Sequence, residues 1–169
     1  MRFQGKWITT HAFKNLEPIN VYHKELGIPR NLPTEIQNYH VHFRKKLQLP
    51  KAEQVVIHIS ADDYCKLYVN GAFVSQGPGT AYEVLESRDF TEHKSKVAFA
   101  LGRNIAGENV IAVHVYYQGL VNHAMVSADN RQGMIADIFV DGQYFCGTDE
   151  TLFQCRRASL CNKAQKHLL

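Results

Sequence analysis

The stretch ADDYCKLYVNGAFVSQGPG, residues 61–79, carries two signals at once. LYV and AFV flank Asn70-Gly71, the strongest short hairpin signal in the chain, because a two-residue type I′ turn needs positive φ at both central positions. Leu67 and Val69 would then face a core, and Phe73 would return to the interior side after the turn. Around the hairpin stand Asp62, Asp63, Tyr64, Tyr68 and the loop from Gln76 to Tyr82, which could equally rim a polar pocket. The reading of this segment decides whether it is folding chemistry or a ligand site.

The neighbouring sequence repeats the strand pattern. HVHFRKKL, EQVVIHIS, CKLYVN, NVIAVHVYY and GMIADIFV are short, rich in β-branched and aromatic residues, and bounded by Gly, Pro, Asn or Asp. In EQVVIHIS, Val55, Ile57 and Ile59 fall on one face and Val56, His58 and Ser60 on the other. In NVIAVHVYY the inward set is Ile111, Val113, Val115 and Tyr117, opposite Val110, Ala112, His114 and Tyr116. Asp141-Gly142, between IFV and QYF, repeats the hairpin device. HKELG at 23–27 and the tail NKAQKHLL would give a turn or two of helix, without an apolar stripe long enough to pack a domain. Many strands without intervening helices exclude a parallel βαβ build. The expected fold is all-β: an antiparallel β-sandwich of jelly-roll, galactose-binding-domain-like type.

The chain has 169 residues, which suits one domain. We expect residues 1–39 to form an extended segment wrapping the sandwich, because Pro18, Pro29 and Pro33 interrupt any periodicity there. The sandwich occupies 40–151, and 152–169 reads as a truncated linker or tail. A net charge of +3, with the basic residues scattered, is too thin for an electrostatic footprint on nucleic acid. No stretch approaches the ~20 apolar residues of a membrane span, and the N-terminus lacks an apolar core and cleavage site. A cytoplasmic location, or a mature fragment, is expected. Cys65, Cys146, Cys155 and Cys161 include no CxxC pair, which favours reduced thiols.

Four chemistries can be weighed against this frame. His40 and His42 lie two apart on a strand and so share a face, a spacing that binds metal when a third ligand converges. The cupin pattern wants a Glu a few residues on, and Phe43 to Leu49 supply none, so no metal or other cofactor is expected. Glycoside hydrolysis needs two carboxyl groups across a cleft. Asp62 and Asp63 are adjacent, so in an extended strand they point to opposite faces and cannot form that pair; a turn role fits them better. No GxSxG elbow is present, and Gly77-Pro78-Gly79 lacks the Lys-Ser/Thr and helix that phosphate binding requires. Tyr64, Tyr68, Tyr82, Tyr116, Tyr117 and Trp7 offer flat faces to the core or to a sugar.

Six runs in this order resemble the N-terminal β-sandwich domain of bacterial α-L-rhamnosidases. They are HFRKKLQLP at 42–50, VVIHISADDYCKLYVNGAFVSQGPG at 55–79, DFT at 89–91, GENVIAVHVYYQGL at 107–120, SADNRQGMIADIFVDG at 127–142 and TDET at 148–151. The resemblance implies a galactose-binding-like jelly-roll set ahead of an (α/α)6 catalytic barrel that carries the inverting acid and base. No residue of this sequence matches those carboxylates, so no catalytic residue is assigned. HKSKVAFALGRNIA at 93–106 departs from the family's short connection and reads as a longer, irregular one.

The implied function is that of a non-catalytic domain of a rhamnoside-cleaving enzyme. Its partners would be rhamnose-containing glycosides, and a catalytic domain or a second copy at its docking face. The alternative is a stand-alone lectin-like module. Candidate sugar-contacting residues are Asp62, Asp63, Tyr68, Tyr82 and Tyr116. A docking face would show as one exposed patch of Val56, Val110 and Ala112.

Overall fold

The computed structural model describes residues 3–17, 36–77, 97–102, 106–119, 129–149 and 153–157. One short helix, α1 (His11–Lys14), precedes the strands β1 (Tyr39–Leu49), β2 (Val55–Asp62), β3 (Tyr64–Val69), β4 (Ala72–Gly77) and β5 (Val97–Gly102). Then follow β6 (Gly107–Tyr117), β7 (Gly133–Val140), β8 (Gln143–Gly147) and β9 (Gln154–Arg157). They form two antiparallel sheets, ordered β4-β3-β6-β1-β9 and β5-β2-β7-β8. The expected all-β sandwich is the architecture found. Among the described residues no helix is long and apolar enough to cross a membrane. Both expected helical stretches, 23–27 and the tail from 162, lie outside the described residues, as do the DFT run at 89–91 and Tyr82.

Period-two patterning places the core. Along β1, Tyr39, Val41, Phe43, Leu47 and Leu49 are buried while His40, His42, Arg44, Lys46 and Gln48 face outward. β6 pairs with β1 over its full length, from Tyr39 opposite Tyr117 to Leu49 opposite Gly107. Ile111, Val113, Val115 and Tyr117 therefore meet Val55, Ile57 and Ile59 of the second sheet in one apolar layer. Lys45 breaks the pattern, since its position in the alternation turns it inward. Its ammonium lies 5.2 Å from the centre of the Phe153 ring, a cation–π contact that lets the charge be tolerated there.

Both hairpins form on the predicted turns. Asn70 and Gly71 have φ of 51° and 83°, and Asp141 and Gly142 have 46° and 80°. A Cβ added at Gly71 meets nothing within 4 Å, so the cost of one is conformational alone. Gly71→Ala is expected to lower the unfolding free energy by ~1 kcal/mol, read as a shifted urea midpoint; an unchanged midpoint would argue against the turn assignment.

Four expectations are corrected. Phe73 is 57% exposed rather than returned to the core, because the two-residue turn pairs Val69 with Ala72 and Tyr68 with Phe73, which puts Phe73 on the outer face that Tyr68 occupies. Within the stretch read as an irregular connection, residues 97–102 form β5, an edge strand beside β2. Val56 stands on the outer face of the four-stranded sheet, whereas Val110 and Ala112 stand on that of the five-stranded sheet, so the three form no single patch. Finally, Asp62 and Asp63 do not point to opposite faces. The chain passes between the two sheets at this point, the peptide bond joining them is cis, and their carboxyl groups share a hydrogen bond.

Residues 3–8 run beside β7 and β8. Ile8 exchanges backbone hydrogen bonds with Met134, at 2.9 and 3.0 Å, and the Lys6 amide donates to Thr148 O. The buried Asp137 carboxylate accepts from the Gln4 and Gly5 amides at 2.8 and 2.7 Å. Glycine is required where these segments cross, since a Cβ on Gly147 would sit 2.7 Å from Asp137 Oδ1 and 2.8 Å from Gly5 Cα.

Candidate functional site

Strand pairing gathers one set of side chains on the outer face of the five-stranded sheet. His42 lies opposite His114 and His40 opposite Tyr116. β3 then sets Lys66 opposite His114 and Tyr64 opposite Tyr116. Of these, His40, Tyr64, Lys66, His114 and Tyr116, with Cys65, Gln76 and Gly77, line a cleft of about 400 Å³, large enough for a sugar ring, and His42 stands just outside it.

The cleft wall is built of flat rings. His40 stacks on Tyr116 with centroids 4.6 Å apart, and on His114 at 5.1 Å. His42 meets His114 edge-on at 4.8 Å. His40 Nδ1 and His114 Nε2 are 2.9 Å apart, so one ring donates to the other and a single proton lies between them. Burial, followed by the charges of His42, His40 and Lys66, pushes His114 down to about 4. Burial and then His42 lower His40 as well. Both rings are therefore neutral near pH 7, which suits stacking rather than charge repulsion. The Tyr116 hydroxyl donates to Asn38 Oδ1 at 2.7 Å, which fixes its ring plane.

No activated nucleophile stands here. Cys65 donates its thiol hydrogen to Gly77 O, and burial pushes it up to about 12, so it remains a thiol. Among the described residues no carboxylate lines the cleft. Among the described residues no three His, Cys, Asp or Glu side chains are grouped to hold a metal ion. His40 and His114 stack and hydrogen-bond with each other instead, and His42 meets His114 edge-on.

The carboxyl groups of interest lie beneath the surface. Asp63 is fully buried and accepts from the Gln118 amide at 2.7 Å, while its own amide donates to Tyr116 O. Asp62 and Asp129 are buried beside it, and Arg131 Nε donates to Asp129 Oδ2 at 2.6 Å. Burial first, then the Asp129 and Asp63 charges, raise Asp62 well above the usual carboxylate range. Burial also raises Asp129 to about 6, against the lowering effect of Arg131. Such a cluster ties β2, β3, β6 and the approach to β7 together, and no substrate sits between groups so enclosed.

Of the residues singled out in the sequence, Tyr116 lines the cleft and Asp62 and Asp63 support it from below. Tyr68 shares the outer face but stands further along β3, edge-on to Phe73 at 5.7 Å. His40, Lys66, Gln76 and His114 escaped sequence reasoning as sugar-facing groups. The signal was present in the shared parity of His40, His42, His114 and Tyr116, but their convergence depends on the β1–β6 register, which one sequence does not give.

No family model and no curated protein matches the sequence. Solved structures do share the fold. A GH78-family rhamnosidase of Bacillus sp. GL1 superposes with a TM-score of 0.61 at 24% identity, over 93% of this chain and 14% of the rhamnosidase. The Pleurotus ostreatus lectin, in complex with GalNAc, gives 0.55 at 23% identity, over 94% of this chain and 39% of the lectin. An Aspergillus terreus α-L-rhamnosidase gives 0.51 at 14% identity, over 78% of this chain and 16% of that enzyme. This chain thus spans only a small part of the rhamnosidases, and its β-sandwich is shared by hydrolases of that class and by a lectin.

Proposed function

We propose that this chain is a non-catalytic β-sandwich domain of an α-L-rhamnosidase-type glycoside hydrolase, contributing architecture and weak sugar contact at the outer-face cleft. The observation that carries the reading is the cleft itself: stacked neutral rings and amide and amine donors, with no carboxylate among the described residues of its lining. Flat aromatic faces suit the C–H surfaces of a sugar, and hydrolysis would need two carboxyl groups at the bond to be broken. The fold shared with rhamnosidases supports the parent class. The fold shared with the Pleurotus lectin supports a second reading, a stand-alone lectin-like module using the same cleft.

Calorimetric titration with L-rhamnose and with GalNAc, run beside an aryl-rhamnoside hydrolysis assay, tests this. We expect roughly millimolar binding, weakened about tenfold in Tyr116→Ala, and no turnover. Turnover that survives repurification would overturn the non-catalytic assignment. A much tighter hold on GalNAc than on rhamnose would favour the lectin reading.

A further inference from the structure

We infer that the outer-face cleft selects a sugar bearing a carboxylate, a uronic acid, over its neutral counterpart. The inference rests on the cleft being a sugar site and adds the chemical class of its ligand.

Among the described residues, the charged side chains lining the cleft are of one sign. β3 contributes Lys66, which is exposed at the lining and has no carboxylate partner among the described residues. β1 contributes His40, His42 and Arg44 to the same face, and β6 contributes His114 and Tyr116. β4 adds the neutral Gln76. Asp63, the acid beside Tyr116, is buried and bonded to the Gln118 amide. On this face Glu108 stands at the far end of β6, paired with Lys46 at 3.3 Å.

A neutral sugar would satisfy the stacked rings and leave Lys66 without a counter-charge. A uronate seated on the same rings would bring its carboxylate to Lys66 and to the ring N–H of the His40–His114 pair that is not used between them, and charge-assisted hydrogen bonds are about twice as strong as neutral ones. The single proton between the two imidazoles leaves the pair able to accept one more, which an adjacent carboxylate would stabilise.

The test compares methyl α-D-galacturonoside with methyl α-D-galactoside, which differ only in carboxylate against hydroxymethyl, by NMR titration of the whole chain. At low salt the galacturonoside is expected to bind at least about fivefold more tightly. That ratio should fall towards one in Lys66→Gln and in about 0.5 M salt. Lys66 is on the outer face, so the variant folds, and its dispersed NMR spectrum verifies this in the same experiment. Equal affinities for the two glycosides would overturn the inference and leave the cleft a neutral-sugar site. Inorganic sulfate displacing the galacturonoside at equal concentration would overturn it too, by showing a plain anion site. No binding of either glycoside, or of rhamnose, would remove the sugar site itself.

Discussion

Asp137→Ala is expected to undock the N-terminal segment. The carboxylate is 2% exposed and accepts two backbone amides, those of Gln4 and Gly5, one on each oxygen. Hydrogen bonds to a charged group contribute ~1.5–3 kcal/mol each, so their joint loss costs about 3–5 kcal/mol of docking free energy. Other ties remain, among them the Ile8–Met134 pair, the Lys6 amide on Thr148 O, and the Thr148 hydroxyl donating to Lys6 O at 2.6 Å. We expect amide exchange at Gly5, Lys6 and Ile8 to quicken by about a hundredfold or more while the β1–β6 ladder stays protected. Unchanged exchange at these three amides would show that the carboxylate does not hold the segment. Asp137→Asn should fall between the two, since it keeps one acceptor and turns a donor towards the second amide.

The second large effect is a loss of stability as pH rises. Asp129 is raised from 3.8 to about 6, so between those values the folded chain holds a proton that the unfolded chain has released. Stability from this group is fully present below pH 4 and is lost as pH climbs through 6, by ~3 kcal/mol at one unit per 1.4 kcal/mol. Asp62, raised in the same direction, extends the loss upward. His114 opposes it: a base lowered from 6.5 to about 4 loses stability as pH falls through that window, and its half-exposed ring makes this the smaller effect. Asp129→Asn removes the titration. Its stability relative to the parent is expected to rise by about 3 kcal/mol between pH 4 and pH 7, read from urea melts at both. A difference that does not change with pH would mean that Asp129 is ionised at an ordinary value.

Local chemistry made much of the fold legible. The Asn-Gly and Asp-Gly turns need positive φ wherever they occur, and period-two alternation sorted Val55, Ile57, Ile59 and the β6 residues correctly. The Asn70-Gly71 turn also sets Phe73 opposite Tyr68 and so outward, a pairing that the expectation of a core position overlooked. The other misses concern non-local facts. Lys45 reads as a surface residue within RKK; strand parity turns it inward, and its partners there, the Phe153 ring and the Cys146 thiol, come from distant parts of the chain. Asp62 and Asp63 read as a turn, yet their environment comes from Asp129 and Arg131, more than sixty positions away.

The site was legible in part for the same reason. Tyr116 stood out as a flat aromatic, whereas its partners become visible only when β1, β3 and β6 are aligned. His40 and His42, weighed as metal ligands from their spacing, are instead ring surfaces in a stack with His114 and Tyr116. Their shared face was correctly read; the third group that joins them is another imidazole, hydrogen-bonded rather than converging on a point.

The central claim is that the domain holds sugar at this cleft. Chemical-shift mapping of the isotopically labelled chain during titration with L-rhamnose tests it most directly. The prediction is saturable shifts clustered at His40, Tyr64 to Lys66, Gln76 to Gly77 and His114 to Tyr116, with β2 and β7 unmoved. No shift at roughly tens of millimolar rhamnose, or shifts confined to the four-stranded sheet, would contradict it.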